Sequence, residues 1–297
     1  MRSWHKLLCA AAGALLLAFA GPAVAAVTFD TLPDGLQIHA GRTTCKVLTT
    51  GTIKELKIDG ALVIEEIRFE VREEDGTPYV PTAANCKELE VAGGDPALKV
   101  TAQGTIPPTP KGIECSFRID YRFSDDGRVD ATVVVTPLVD FRAQTCAYLV
   151  ELPLDVYAGQ PFLFSPRDQT GGPFTYKEGY SQRGVWPATF NQYQFQWFVP
   201  WIRLQPKQGP PFEMIFRHGT NVLEDLRQNN VQRFCIGSWA DYKYPTVTQG
   251  DARLMYVTLI PLTAEAAIPP PPPAPPAAPA APAAPAVPGA DPGAAGG

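Results

Sequence analysis

Cys115-Ser116-Phe117-Arg118-Ile119-Asp120-Tyr121-Arg122-Phe123 alternates apolar and polar residues without a break. Five apolar side chains face one way, with a serine, two arginines and an aspartate between them. After Ser124-Asp125-Asp126-Gly127-Arg128 the alternation resumes through Val129, Ala131, Val133 and Val135. A period of two over two segments joined by an Asp-Gly turn is the mark of an antiparallel hairpin with one buried face.

The same grammar extends in both directions. Upstream, Ile53, Leu56 and Ile58 run into Asp59-Gly60, and Ile67, Phe69 and Val71 alternate with Glu66, Arg68, Glu70 and Arg72 before Asp75-Gly76. Further strands are predicted at 36–39, 89–91, 98–102, 147–154, 202–204, 212–216, 231–236 and 254–262. A helical period is missing, apart from one or two turns predicted over Thr220 to Gln228. The turns are rich in Gly, Pro and Asp, which supply the backbone geometries that turns need. A dozen strands exceed an immunoglobulin-size sandwich. The fold class expected is therefore all-β, a large antiparallel two-sheet sandwich forming a single domain over residues 26–265.

Different compositions flank that domain. Arg2 and Lys6 precede an apolar run from Leu7 to Ala20, then Gly21-Pro22 and Ala23-Val24-Ala25. This order describes a secretory signal over residues 1–25, cut after Ala25. The run is too short for a comfortable membrane span, so no span is expected after cleavage. At the other end, residues 266–297 form a Pro/Ala-rich segment. Positions 269–297 hold 12 of the 32 prolines, too little apolar surface to offset ordering, so a disordered tail is expected. The chain is thus expected to be secreted or periplasmic.

Loss of Arg2 and Lys6 leaves 23 basic residues against 30 acidic ones. That balance argues against a nucleic-acid partner. Cys45, Cys86, Cys115, Cys146 and Cys235 remain, in a compartment that permits disulfides, and two disulfides with one spare thiol are expected, their pairing open. Their wide spacing does not suit a zinc site, and no metal or cofactor is implied.

Candidate chemistry gathers in the second half. Arg217-His218-Gly219-Thr220-Asn221 follows a strand and precedes Glu224-Asp225. Together with Tyr242, the residues Arg217, His218 and Glu224 form the candidate catalytic set, able to bind a carboxylated sugar and shuttle a proton. The acidic clusters Glu65-Glu66, Glu73-Glu74-Asp75 and Asp125-Asp126 read as solvated charges. Residues 157–201 hold 13 aromatics, which either fill the core between the two sheets or form a ligand platform; for the platform Trp186, Trp197, Trp201 and Trp239 are the candidate ligand-binding rings, since such faces stack on pyranoses. Trp186, Trp201 and Trp239 are those expected to be exposed. In Tyr193-Gln194-Phe195-Gln196-Trp197 one face of the segment is wholly aromatic. No nucleophile elbow, phosphate loop or zinc-protease motif is present.

The run Gly51-Thr52-Ile53-Lys54-Glu55-Leu56-Lys57-Ile58-Asp59-Gly60 and the closing strand Met255 to Leu262 resemble the galactose-mutarotase-like supersandwich group. That resemblance implies one large sandwich and a link to carbohydrates, since the group holds sugar epimerases, polysaccharide lyase domains and non-catalytic modules. The histidine-and-carboxylate pattern of mutarotase catalysis does not map onto this chain. The expected function is an exported, non-catalytic protein that binds glycan or another envelope component. A carbohydrate-active enzyme of epimerase or lyase type, and a structural envelope protein without a small ligand, are the alternatives.

Overall fold

The computed structural model describes residues 27–165, 182–190, 199–217, 220–242 and 246–269. Two nine-stranded antiparallel sheets dominate it. The first contains β1 (Thr28–Leu32), β2 (Gly35–Ala40), β3 (Thr43–Leu48), β4 (Ile53–Ile58) and β5 (Ala61–Arg72) in sequential hairpins, with β6 (Pro78–Tyr79) beside β5. It continues through β12 (Thr145–Pro153), β18 (Arg233–Tyr242) and β17 (Thr220–Asp225). Sequential hairpins also build half of the second sheet, from β7 (Glu90–Gly94) and β8 (Ala97–Ile106) to β9 (Cys115–Ser124) and β10 (Val129–Pro137). There β20 (Arg253–Pro261) joins β10 to β16 (Phe212–Phe216), β15 (Trp201–Leu204), β13 (Pro161–Ser165) and β14 (Gln182–Val185). A small ladder pairs β11 (Phe141–Arg142) with β19 (Thr246–Val247).

The hairpin that decided the fold forms as its alternation requires. Phe123 lies opposite Val129 and the register runs unbroken to Cys115 opposite Pro137. Every apolar residue of that pattern is buried, while Arg118 and Arg122 are exposed. The inner faces of both sheets meet in one core, where Phe69 of β5 packs 5.6 Å from Phe117 of β9. Closely packed aligned sheets of this kind are the architecture of the supersandwich resemblance. Glycine is required at 51, where φ is +76° and a Cβ would sit 2.8 Å from Ile119 Cδ1.

β12 differs from its neighbours in being buried along its whole length, on both faces. It is flanked by β5 and β18, so its outward side chains are roofed by longer side chains from both sides. This accounts for its nearly continuous apolar sequence.

Three expectations are corrected. Thr220–Asp225 is a strand, not a helix, because it pairs with β18 along its length; only Leu226–Asn229 turns, as a short 3-10 helix capped by the Asp225 side chain. None of the five cysteines is joined to another in a disulfide. Cys45 lies opposite Ile38, Cys115 opposite Ile106 and Pro137, Cys146 opposite Val71 and Asp241, and Cys235 opposite Glu151 and Glu224. No register places one cysteine beside another, and a disulfide needs Cα atoms within about 7 Å. Finally, Glu73 is not solvated: it is 3 % exposed and accepts bonds from Thr109 Oγ1 (2.5 Å) and the Lys111 backbone N–H (3.1 Å), pinning the 107–114 loop.

Past β20 the chain crosses the outer face of the second sheet. Arg203 donates to the Ala266 carbonyl (3.5 Å), the Ile268 N–H to Gln205 Oε1 (3.2 Å), and Arg183 to the Pro269 carbonyl. Ile268 is buried beneath this strap. Among the described residues no helix is long and apolar enough to cross a membrane.

Candidate functional site

The sequence candidates scatter. Trp186 is buried, its ring 4.6 Å from Phe234 and 5.0 Å from Phe162, so it fills the core between the sheets and is not an exposed platform. Among the described residues its Nε1 has no hydrogen-bond partner. Trp201 lies on the outer face of the second sheet, where Arg203 stacks over it (5.6 Å) and leaves it 4 % exposed. Arg217 ends the strand β16 in the second sheet, whereas Glu224 stands on β17 in the first. Among the described residues no hydrogen bond or ion pair joins Arg217 to Glu224. His218, Trp197 and the Tyr193–Trp197 run lie outside the described residues. For Trp239 and Tyr242 only the strand register is described, opposite Ala147 and Thr145. His39 is exposed and faces Asp30 at 3.3 Å.

A different constellation occupies the outer face of the first sheet. Glu66, Arg68, Glu70 and Arg72 alternate along β5 with the core residues Ile67, Phe69 and Val71, so all four emerge on the far side. β12 adds Glu151 opposite Glu66, and β18 adds Cys235 opposite Glu151 and Arg233 opposite Pro153. β17 adds Glu224 opposite Cys235. One row across four strands thus reads Glu66, Glu151, Cys235, Glu224.

These charges form a connected lattice. Arg68 is the hub, bonding Glu151 through Nη1 and lying 3.2 Å from Glu70 and 3.5 Å from Glu66. Arg72 Nε bonds Glu70, Arg233 reaches Glu151 (2.5 Å) and Glu65 (3.6 Å), and Lys54 reaches Glu66 (3.1 Å). Glu70 and Glu151 are 1 % and 3 % exposed, which is tolerable because each is held by two arginines. The expectation that Glu66 is simply solvated is thereby corrected: it is a lattice member, half-sheltered between Lys54 and Arg68.

Glu224 stands apart. Among the described residues no hydrogen bond or ion pair reaches its carboxyl. Burial raises its pKa above the usual carboxylate range; the Arg72 charge opposes the shift and the Glu70 charge adds to it. The terminal nitrogens of Arg72 likewise carry no bond among the described residues, since only Nε is engaged. Beside them Ala147, Leu149, Leu226 and Cys235 form a small apolar cluster on the same face. Burial and the charges of Glu224, Glu151 and Glu70 push the Cys235 thiol well up, against the pull of Arg68, so it is inert. The face therefore offers one free carboxyl and one partly free guanidinium over a buried apolar cluster, an acceptor and a donor of the kind a hydroxylated ring engages. Alternation along β5 could have revealed the outward charges. What it could not reveal is their partner Glu151, some 80 positions away.

On the opposite flank, the second sheet carries shallow polar grooves, one of about 570 Å³ lined by Lys99, Asp120, Arg122, Asp130 and Thr132. There burial works against the Asp120 charge, but bonds from Arg118, Thr101 and Lys99 prevail and hold its pKa at about 2. Among the described residues no group of acidic, histidine and cysteine side chains is arranged to hold a metal.

Similar solved structures include the Slr1438 protein of Synechocystis sp. PCC 6803, 12% identical, covering 78% of this chain and 98% of its own, with a TM-score of 0.46. Galactose 1-epimerase of Lactobacillus acidophilus NCFM is 9% identical over 79% of this chain and 98% of its own, with a TM-score of 0.46. An aldose epimerase homologue from C. elegans is 11% identical, with the same coverages and a TM-score of 0.44. No curated protein matches the sequence. The family model described as the D-apionate lactonase N-terminal domain matches residues 24–175, just over half of the chain. The chain belongs to the D-apionate lactonase N-terminal domain family.

Proposed function

We propose that this is an exported protein that binds a carbohydrate, as part of a glycan or of another envelope component, on the outer face of the first sheet. Glu224 serves as acceptor and the free nitrogens of Arg72 as donors. The observation that carries the reading is the division of labour on that face. Glu70 and Glu151 are each bonded by two arginines, which makes them a rigid frame, while Glu224 and one end of Arg72 are left open. A preorganised frame around a few unsatisfied polar groups suits recognition. Hydrolysis of a glycosidic bond would need two available carboxyls facing each other across a cleft. The family's name, taken from a D-apionate lactonase, supports a carbohydrate-related ligand.

A second reading, an enzyme that uses Glu224 as its acid, draws on the raised pKa of that carboxyl. Calorimetric titration of the purified chain with a panel of sugars and oligosaccharides tests the first, and polarimetry of fresh aldose solutions tests the second. Binding that weakens at least tenfold in both Glu224→Gln and Arg72→Ala, without turnover, is the expected result. Binding indifferent to both substitutions defeats the site. Turnover abolished by Glu224→Gln would favour the enzyme.

A further inference from the structure

The ion pairs on the outer face of the first sheet close on themselves. Lys54, Glu66, Arg68, Glu70 and Arg72 form one chain of contacts, and Arg68 links it through Glu151 to Arg233 and Glu65. Four cations meet four carboxylates, so the lattice is neutral as it stands. Among the described residues Glu224 is the ninth group and the one without a bonded counter-charge. The groups described around it are Arg72 and Glu70 from β5, Cys235 opposite it on β18, and Glu151 beyond. Arg72 is already bound to Glu70, and Cys235 supplies no charge. An anionic ligand would meet a face on which each guanidinium charge is already paired with a carboxylate, even where Arg72 keeps free N–H groups, and would add repulsion from Glu224. A neutral sugar would leave the charge of Glu224 uncompensated in a half-buried position. A ligand that carries its own cation completes the set.

Resting on the carbohydrate reading above, we infer that the ligand of this face is an amino sugar, whose protonated amine pairs with Glu224 while ring hydroxyls accept from Arg72. Leu149 and Leu226 are buried on the same face and pack beneath these groups as a support. Bringing an ammonium group within bonding distance favours the ionised carboxylate and opposes the upward shift that burial imposes on Glu224, so whatever fraction of it is protonated gives up its proton on binding.

The test uses the full chain and two matched ligands, chitobiose with free amines and its di-N-acetylated counterpart, titrated near pH 6 in two buffers of different ionisation enthalpy. The free amine is expected to bind at least tenfold more tightly, with net proton release. In Glu224→Gln that preference and the proton release should both vanish. Equal or tighter binding of the acetylated disaccharide overturns the amine while leaving the carbohydrate reading intact. A preference that survives Glu224→Gln also overturns it, because general attraction between an acidic protein and a cation would then suffice. Binding of neither disaccharide overturns the amine; the sugar panel then decides the broader reading on its own.

Discussion

The phenol oxygens of Tyr121 and Tyr148 lie 2.7 Å apart, fully buried, one from each sheet. Tyr121 donates its single proton to the Gly51 carbonyl, so Tyr148 must donate to Tyr121. The pair thus has a direction. Removing the Tyr121 hydroxyl strands both the Gly51 carbonyl and the Tyr148 O–H, whereas removing the Tyr148 hydroxyl strands nothing that must donate. Tyr121→Phe is expected to cost about 1–3 kcal/mol and Tyr148→Phe about 0.5–1.5 kcal/mol, read from urea unfolding midpoints. Equal costs would mean that the donor order is otherwise.

Trp186 joins the sheets by packing alone, between Phe162 of the second and Phe234 of the first. Trp186→Ala should cost about 3–5 kcal/mol. Because Nε1 has no partner, Trp186→Phe forfeits no hydrogen bond and should cost clearly less. Thermal unfolding of the two variants checks the ranking.

Arg68 holds three carboxylates, two of them deeply buried. Arg68→Ala is expected to destabilise the fold by about 3–5 kcal/mol, as breaking a buried ionic network does. An Arg68→Met variant that recovers part of the loss would separate the packing of the stem from the charge. Denaturant titration of both is sufficient.

The pKa of Glu224 is raised by burial, so the folded state binds its proton more tightly than the unfolded chain does. Its contribution to stability is complete below the unfolded carboxylate pKa and is lost as pH climbs through the raised folded value. Glu224→Gln should therefore be more stable than the parent above that window and no more stable below it. Unfolding midpoints at a series of pH values give the comparison. Asp120 runs the other way: its folded pKa of about 2 stabilises above the ordinary range and is lost as pH falls toward 2.

With all five thiols free, reducing agents should leave the unfolding temperature unchanged. Cys86, half-exposed, should be the first to react with a thiol reagent under native conditions. Cys45 and Cys115, buried and pushed up to about 12, should react only on unfolding. Mass spectrometry after brief alkylation reads this directly.

The sandwich was legible because alternation is a local property. Cys115 to Phe123 and Val129 to Val135 announce their inner face without reference to anything distant. The site was less legible for a matching reason. Glu66 read as solvated, and the alternation of Glu66, Arg68, Glu70 and Arg72 shows only that they face away from the core; their partners Glu151 and Arg233 are distant in sequence. Glu224 was singled out together with Arg217, since adjacency along the chain cannot reveal that the chain passes from the second sheet to the first between them. The tryptophans misled in the opposite way. Trp186 and Trp201 stand near prolines, which suggests a surface loop, yet one fills the core and the other lies under Arg203.

The strap from Ala264 to Pro269 also settles a question of orientation. It is fastened to Arg203, Gln205 and Arg183 on the flank of the second sheet, the side facing away from Arg68 and Glu224. Pro269, where the described residues end, therefore lies behind the molecule, so a label placed on the strap itself reports on the second sheet and leaves the carboxylate lattice uncovered.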